Sequence, residues 1–142
     1  IYIDGNCKLN PINWQKKFEK EIQNYDMICF THPTRNTIKQ EMKVVYSYKL
    51  ATKESIMKIN EIIERSEYKD DKGLTETNVL IRNHKNITNF NEEWNEMIKI
   101  CRRDQLSFDY LLEIFKVKVL KLPYSNKPVI SRRHVNPLYR TI

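Results

Sequence analysis

Glycine is nearly absent: the 142 residues hold two, Gly5 and Gly73. A phosphate-cradling loop needs several glycines close together, and a nucleophile elbow needs Gly-x-Ser-x-Gly, so P-loop and α/β-hydrolase chemistry get no support. Cysteine is scarce as well. Cys7, Cys29 and Cys101 stand far apart with no Cys-x-x-Cys pair, which argues against a thiolate zinc site and a disulfide framework. Buried, inert thiols in a reducing compartment are expected, which favours a cytoplasmic setting; a Cys7–Cys29 bridge stays open for a secreted parent. No apolar run approaches the roughly 18 residues that cross a bilayer, so no membrane span is expected. There is no initiator methionine. The chain opens on Ile1 and reads as a piece of a longer protein.

What is present suits one compact domain. Hydrophobic residues make up 40% and aromatics 11%, enough for a core and too many for a disordered chain. The formal charge is +7. A basic balance fits phosphate-bearing partners or simply solvated helix faces. The lysines are scattered with glutamate between them, as in Lys16, Lys17, Glu19, Lys20 and Glu21. Aromatic and basic residues do not interleave, so no nucleic-acid partner is expected.

Along the chain, Ile1–Asp4 reads as a strand running into an Asp-Gly turn. Pro11 and Ile12 open a helix whose apolar face takes Ile12, Trp14, Phe18 and Ile22. Met27–Phe30 is a second strand, closed by Thr31-His32-Pro33. Asn36 is placed to cap a helix from Thr37 to about Leu50, and Thr52 another to about Arg65. Asn78–Arg82 is a third strand. Asn89 is placed to cap a helix holding Phe90, Trp94, Met97 and Ile98, and Asp104 a further one with Leu106, Tyr110, Leu111 and Ile114. Val117–Leu120 is a last strand. Residues 1–122 then form the domain, and 123–142 a proline-bearing tail, extended along the surface or partly mobile. Strands alternating with helices give an α/β domain with a mixed, mainly parallel sheet.

In such sheets ligands gather beyond the carboxyl ends of strands. Three places qualify: Asp4-Gly5-Asn6, His32-Pro33-Thr34-Arg35 and Arg82-Asn83-His84. Asp4, with Asn6 two residues on, can offer oxygen ligands to a divalent metal, or can simply cap its own turn. Arg35 can pair with phosphate or a sugar carboxylate, or with a carboxylate such as Glu41. His32 can ligate metal or bond a hydroxyl, or be satisfied by backbone. Glu76, Asn78 and His84 can line the same cleft, or Glu76 and His84 can be solvated. Arg103-Asp104-Gln105 opens a helix. Asp104 is there either a cap or a base aimed at substrate, and Gln105 offers both donor and acceptor to sugar hydroxyls. His134, beside Arg132 and Arg133 on the tail, can return as a metal ligand or stay exposed.

Four stretches occur in a telling order: Y-I-D-G-N-C-K-L at Tyr2–Leu9, F-T-H-P-T-R-N-T-I-K-Q-E at Phe30–Glu41, G-L-T-E-T-N-V-L-I-R-N-H at Gly73–His84, and R-D-Q-L-S-F at Arg103–Phe108. In that order the chain resembles the glycosyltransferase-like family once catalogued only as a domain of unknown function. Plant cell-wall and mucilage proteins and many bacterial proteins belong to it. The resemblance runs from Tyr2 to about Tyr110. It implies a GT-A-like, Rossmann-related fold, a nucleotide-diphosphate sugar donor, a carbohydrate or other hydroxyl acceptor, and Mn²⁺ or Mg²⁺. Asp4 matches the first acid of the family's Asp-x-Asp metal motif. Asn6 departs from its second acid and brings no charge. Arg103-Asp104-Gln105 resembles the Asp-Gln element that faces the sugar in glycogenin-like transferases, where it follows a Trp-bearing helix, as Trp94 stands here. His134 corresponds loosely to a late metal-ligand histidine. In a GT-A domain the strands that hold the base precede the Asp motif, so the chain is expected to be a carboxy-terminal portion that lacks most of the base pocket.

The expected function is sugar transfer from a nucleotide-diphosphate sugar to a hydroxyl. Asp4, Asn6 and His134 hold metal, and Asp104 and Gln105 act at the sugar. His32, Arg35, Glu76, Asn78, His84 and Arg103 contact substrate. A non-catalytic carbohydrate-binding remnant and a metal-dependent hydrolase are the alternatives.

Overall fold

A computed structural model describes residues 1–5, 7–9 and 14–131. Asn6, Ile12, Arg132, Arg133 and His134 lie outside the described residues. The strands are β1 (Tyr2–Ile3), β2 (Cys7–Leu9), β3 (Met27–Thr31), β4 (Thr75–Arg82), β5 (Val119–Leu122) and β6 (Val129–Ser131). The helices are α1 (Trp14–Glu19), α2 (Ile38–Ser47), α3 (Lys53–Glu64), α4 (Thr88–Ile100) and α5 (Gln105–Ile114). A mixed four-stranded sheet runs β1-β4-β3-β5, and β2 pairs with β6 in a separate ribbon.

The α/β class and the mixed, helix-flanked sheet agree with the sequence reading and with a Rossmann-like fragment. The predominance of parallel pairing does not. β4 runs antiparallel to both β1 and β3, and only β3–β5 is parallel. The sequence shows where strands are but not which way each one points.

Strand alternation divides the core in two. Met27 and Cys29 face one side, packing with Ile38, Val45, Ile59, Phe90, Leu106 and Phe108 from α2 to α5. Ile28 and Phe30 face the other, with Phe18 of α1 and Val129 of β6. β3 is therefore apolar from Met27 to Phe30, as a central strand covered on both faces must be. The aromatic rings of Phe90, Trp94 and Phe108 lock α4 onto α5, Trp94 and Phe108 meeting edge to face at 4.9 Å.

Helix starts follow capping chemistry. Thr37, rather than Asn36, caps α2 by accepting from the Gln40 amide, while the Asp70 carboxylate takes the amides of Ile38 and Lys39. Thr52 caps α3 as expected. α4 begins at Thr88 behind the buried Ile87, so Asn89 lies inside the helix and is not its cap. The apolar anchor sets this start more than any side-chain oxygen does. The chain beyond Pro123 also returns to the domain as far as Ser131. The Tyr124 amide donates to Thr31 Oγ1, β6 pairs with β2, and Val129 is buried.

β4 carries an irregularity that matters for the site. Ile28 pairs with Ile81, but Phe30 pairs with Glu76, so two steps along β3 are matched by five along β4. The strand changes parity across this bulge. Thr75 and Thr77 bond to α5, and further on it is Leu80 that joins the helix-side core. Bulges of this kind re-aim side chains near functional sites.

Candidate functional site

One end of the sheet gathers most of the polar residues singled out in the sequence. β1 and β3 both run against β4, so their carboxyl ends lie beside the start of β4. The Asp4 amide donates to the Asn78 carbonyl, and the His32 amide to the Leu74 carbonyl. The N-terminus of α5 comes to the same place.

His32 is the best-defined side chain there. Pro33 holds it in extended backbone, and the chain then turns so that the amides of Thr34 and Arg35 both donate to Nδ1, at 3.1 and 3.0 Å. With Nδ1 an acceptor, the ring proton sits on Nε2, which faces Glu76 Oε2 at 3.5 Å. Burial, reinforced by the charges of Arg35 and Lys127, lowers the His32 pKa to about 4. The ring is thus neutral near pH 7, and its contact with Glu76 is a neutral N–H facing a carboxylate, not a salt bridge.

Arg35 reaches Glu41 through Nε. Glu41 is 1% exposed, so the pair anchored in α2 is half-buried and not a surface ion pair. Asp104 caps α5, its Oδ1 accepting from the Gln105 amide at 3.0 Å and its Oδ2 from the Thr77 hydroxyl at 2.8 Å. Gln105 is buried and donates from Nε2 to the Thr75 carbonyl. The backbone-satisfied histidine, the Arg35–Glu41 pair and the capping aspartate are thus all realised in the structure.

Asp4 accepts at Oδ1 from the Tyr2 hydroxyl at 2.6 Å. That bond, with burial and the charges of Asp4 and Asp104, raises the Tyr2 pKa well above its ordinary value. Lys127 reaches Asn78 Oδ1 at 3.4 Å and lies over the Tyr124 ring. Burial raises the Glu76 pKa; Lys127 and Arg35 oppose the shift, and Glu41 and Asp104 add to it. Arg103 Nε is buried without a hydrogen-bond partner among the described residues.

Asp4, His32, Arg35, Glu76, Asn78, Asp104 and Gln105 therefore share one neighbourhood, with Arg103 entering α5 beside them. His84 does not. β4 runs the other way, so His84 follows its far end, exposed, near the start of β3 where Met27 pairs with Arg82. Eight residues of strand put it on the order of 20 Å away, so it lines no common cleft with Glu76 and Asn78. Asn6 and His134 lie outside the described residues. Tyr2, Thr77 and Lys127 contact this cluster and carry no sign of it in the sequence, although Tyr2 and Asp4 share a strand face by simple alternation.

Among the described residues, no group of three or more His, Cys, Asp or Glu side chains is placed to hold a metal ion. Asp4 does provide a hard oxygen donor of the kind Mn²⁺ and Mg²⁺ take. A cavity of about 260 Å³ lined by Tyr68, Lys72, Asp109 and Lys121 lies beside β5, and its Asp109 bonds Thr75 next to Glu76. Its charges pair with nearby carboxylates, Lys72 with Glu113 and Lys121 with Asp109. The three cysteines are free, and burial pushes the Cys29 thiol up to about 12. No helix is long and apolar enough to cross a membrane among the described residues.

No curated protein and no solved structure matches the chain. The family model of the TOD1/MUCI70 glycosyltransferase-like domain matches residues 1–133, taking in every element of the cluster, and the chain belongs to that family.

Proposed function

We propose that this end of the sheet is the sugar-handling part of a glycosyltransferase site, moving a sugar from a nucleotide-diphosphate donor to a hydroxyl acceptor. The carrying observation is the convergence of Asp4, Glu76, Asn78 and Asp104 with the cations Arg35 and Lys127 at the shared edge of β1, β3 and β4. Carboxylates and amides suit sugar hydroxyls, and cations suit a diphosphate. Among the described residues the buried Arg103 Nε has no hydrogen-bond acceptor, and a phosphate or sugar oxygen would supply one.

Asp4 would hold Mn²⁺ or Mg²⁺, with Asn6 and His134 as the remaining proposed ligands. The metal would supply charge neutralisation of the diphosphate. Asp104 and Gln105 orient the sugar from the start of α5. Both Asp104 oxygens already accept hydrogen bonds, which favours a positioning role over proton transfer. A carbohydrate-binding remnant without turnover is the second reading, favoured by Asn6 where the family motif has an acid.

The test is calorimetry with a panel of nucleoside diphosphates and their sugars, with and without Mn²⁺, on the longest product of the gene. Metal-dependent binding of one nucleotide, lost in Asp4→Ala, is expected. No binding by that product under any metal condition would overturn the metal-dependent transferase and leave the remnant.

A further inference from the structure

We propose that Glu76 is the general base of this site, taking the proton of the acceptor hydroxyl as that oxygen attacks the donor sugar. The inference rests on the transferase reading above and deepens it.

The first ground is which carboxylates are free to act. Around this end of the sheet, Asp104 is held by the Gln105 amide and the Thr77 hydroxyl. Glu41 is enclosed against Arg35. Asp109 takes the Thr75 amide, the Thr75 hydroxyl and Lys121. Asp4 takes the Tyr2 hydroxyl. Glu76 makes no such bond among the described residues; it has only the 3.5 Å approach to His32 Nε2. Its side chain is 19% exposed, open to a substrate yet mostly shielded from water.

The second ground is how Glu76 is aimed. His32 cannot turn over without giving up two backbone amides at Nδ1. Its Nε2–H therefore stays directed at one Glu76 oxygen, leaving the other for a hydroxyl. The β4 bulge sets Glu76 at the point where the strand leaves its regular register with β3. His32 faces it, and the charges that act on it are those of Arg35, Glu41, Asp104 and Lys127. Their opposed charges leave burial as the leading influence, which makes the carboxylate a stronger base than one in water.

The step balances without another reactant. The acceptor oxygen forms a bond to the anomeric carbon. The bond from that carbon to the diphosphate oxygen breaks, and its electron pair leaves with the nucleoside diphosphate. The hydroxyl proton passes to Glu76 and later to water. Direct displacement of this kind inverts the anomeric centre.

The experiment uses the longest product of the gene, with UDP- and GDP-sugars, Mn²⁺ and a panel of hydroxyl acceptors. Wild type is compared with Glu76→Gln, Glu76→Asp and Asp104→Asn, with nucleotide binding measured for each. Glu76→Gln should lose about 10²- to 10⁴-fold in kcat and keep its nucleotide affinity. It should also lose the acid limb of the kcat–pH profile, and Glu76→Asp should fall between. Product of inverted configuration is expected. A Glu76→Gln protein within tenfold of wild type and with its pH profile unchanged overturns the proposal while the transferase stands. So does a retained anomeric configuration. A wild type that transfers no sugar from any donor ends the transferase reading, and this proposal with it.

Discussion

Thr77 donates its hydroxyl to Asp104 Oδ2 at 2.8 Å, and that bond ties the start of α5 to the bulged stretch of β4. Thr77 is 3% exposed, so water cannot replace the lost partner cheaply. Asp104→Ala should cost about 2 kcal/mol, the cap and the orphaned hydroxyl each contributing about 1. Thr77→Val should cost about 1 kcal/mol. Urea unfolding of both single variants and the double variant should show coupling near 1 kcal/mol. Strict additivity would mean the bond contributes nothing.

The Asp109–Lys121 pair makes a larger prediction. Asp109 is 6% exposed and receives the Thr75 amide, the Thr75 hydroxyl and Lys121 Nζ, all within 2.7 Å. Lys121→Met leaves a buried carboxylate without its cation, which should cost about 3 kcal/mol. Lys121→Arg should recover part of it. Thermal melts of the two variants decide the matter; equal and small losses would show that the two threonine bonds suffice.

His32 links stability to acidity. Its folded-state pKa is near 4, against an ordinary 6.5. Between those values the unfolded chain binds more protons, so stability falls as pH drops from 6.5 towards 4. The loss is on the order of 3 kcal/mol for the full shift. Glu76, shifted upward, works in the opposite sense in the carboxylate range. His32→Asn keeps an acceptor for the Thr34 and Arg35 amides but cannot titrate. The gap in urea midpoint between pH 7 and pH 4.5 should therefore shrink in that variant, and an unchanged gap would place the acid sensitivity elsewhere.

Much of the domain was legible because its elements obey local rules. Thr52 caps a helix with isoleucines at helical spacing, Met27–Phe30 is a short apolar run, and Asp104 follows a helix break. The errors arose where distance along the chain decides. Asn36 and Thr37 are both competent caps, and the structure uses Thr37 with Asp70 over the same helix start. His84 shares an edge with Asp4 and His32 only if every strand points the same way, which fails because β4 is reversed, and the length of β4 parts it from Glu76 in any case. Thr77 and Lys127 gave no local sign; each matters through a partner far away in sequence. Asp104, His32 and Arg35 each carry a local sign in the sequence, but the bonds they already make are visible only in three dimensions.

The β4 bulge has a mechanical consequence. Because its parity changes midway, one strand behaves as two short levers in series. The carboxy-terminal lever, Leu80 and Ile81, answers to the two hydrophobic clusters. The amino-terminal lever, Glu76 and Thr77, answers to His32 and Asp104. Repacking of the core can then be absorbed in the slack between them, so that the carboxylate's aim and the interior's fit are free to evolve on separate schedules.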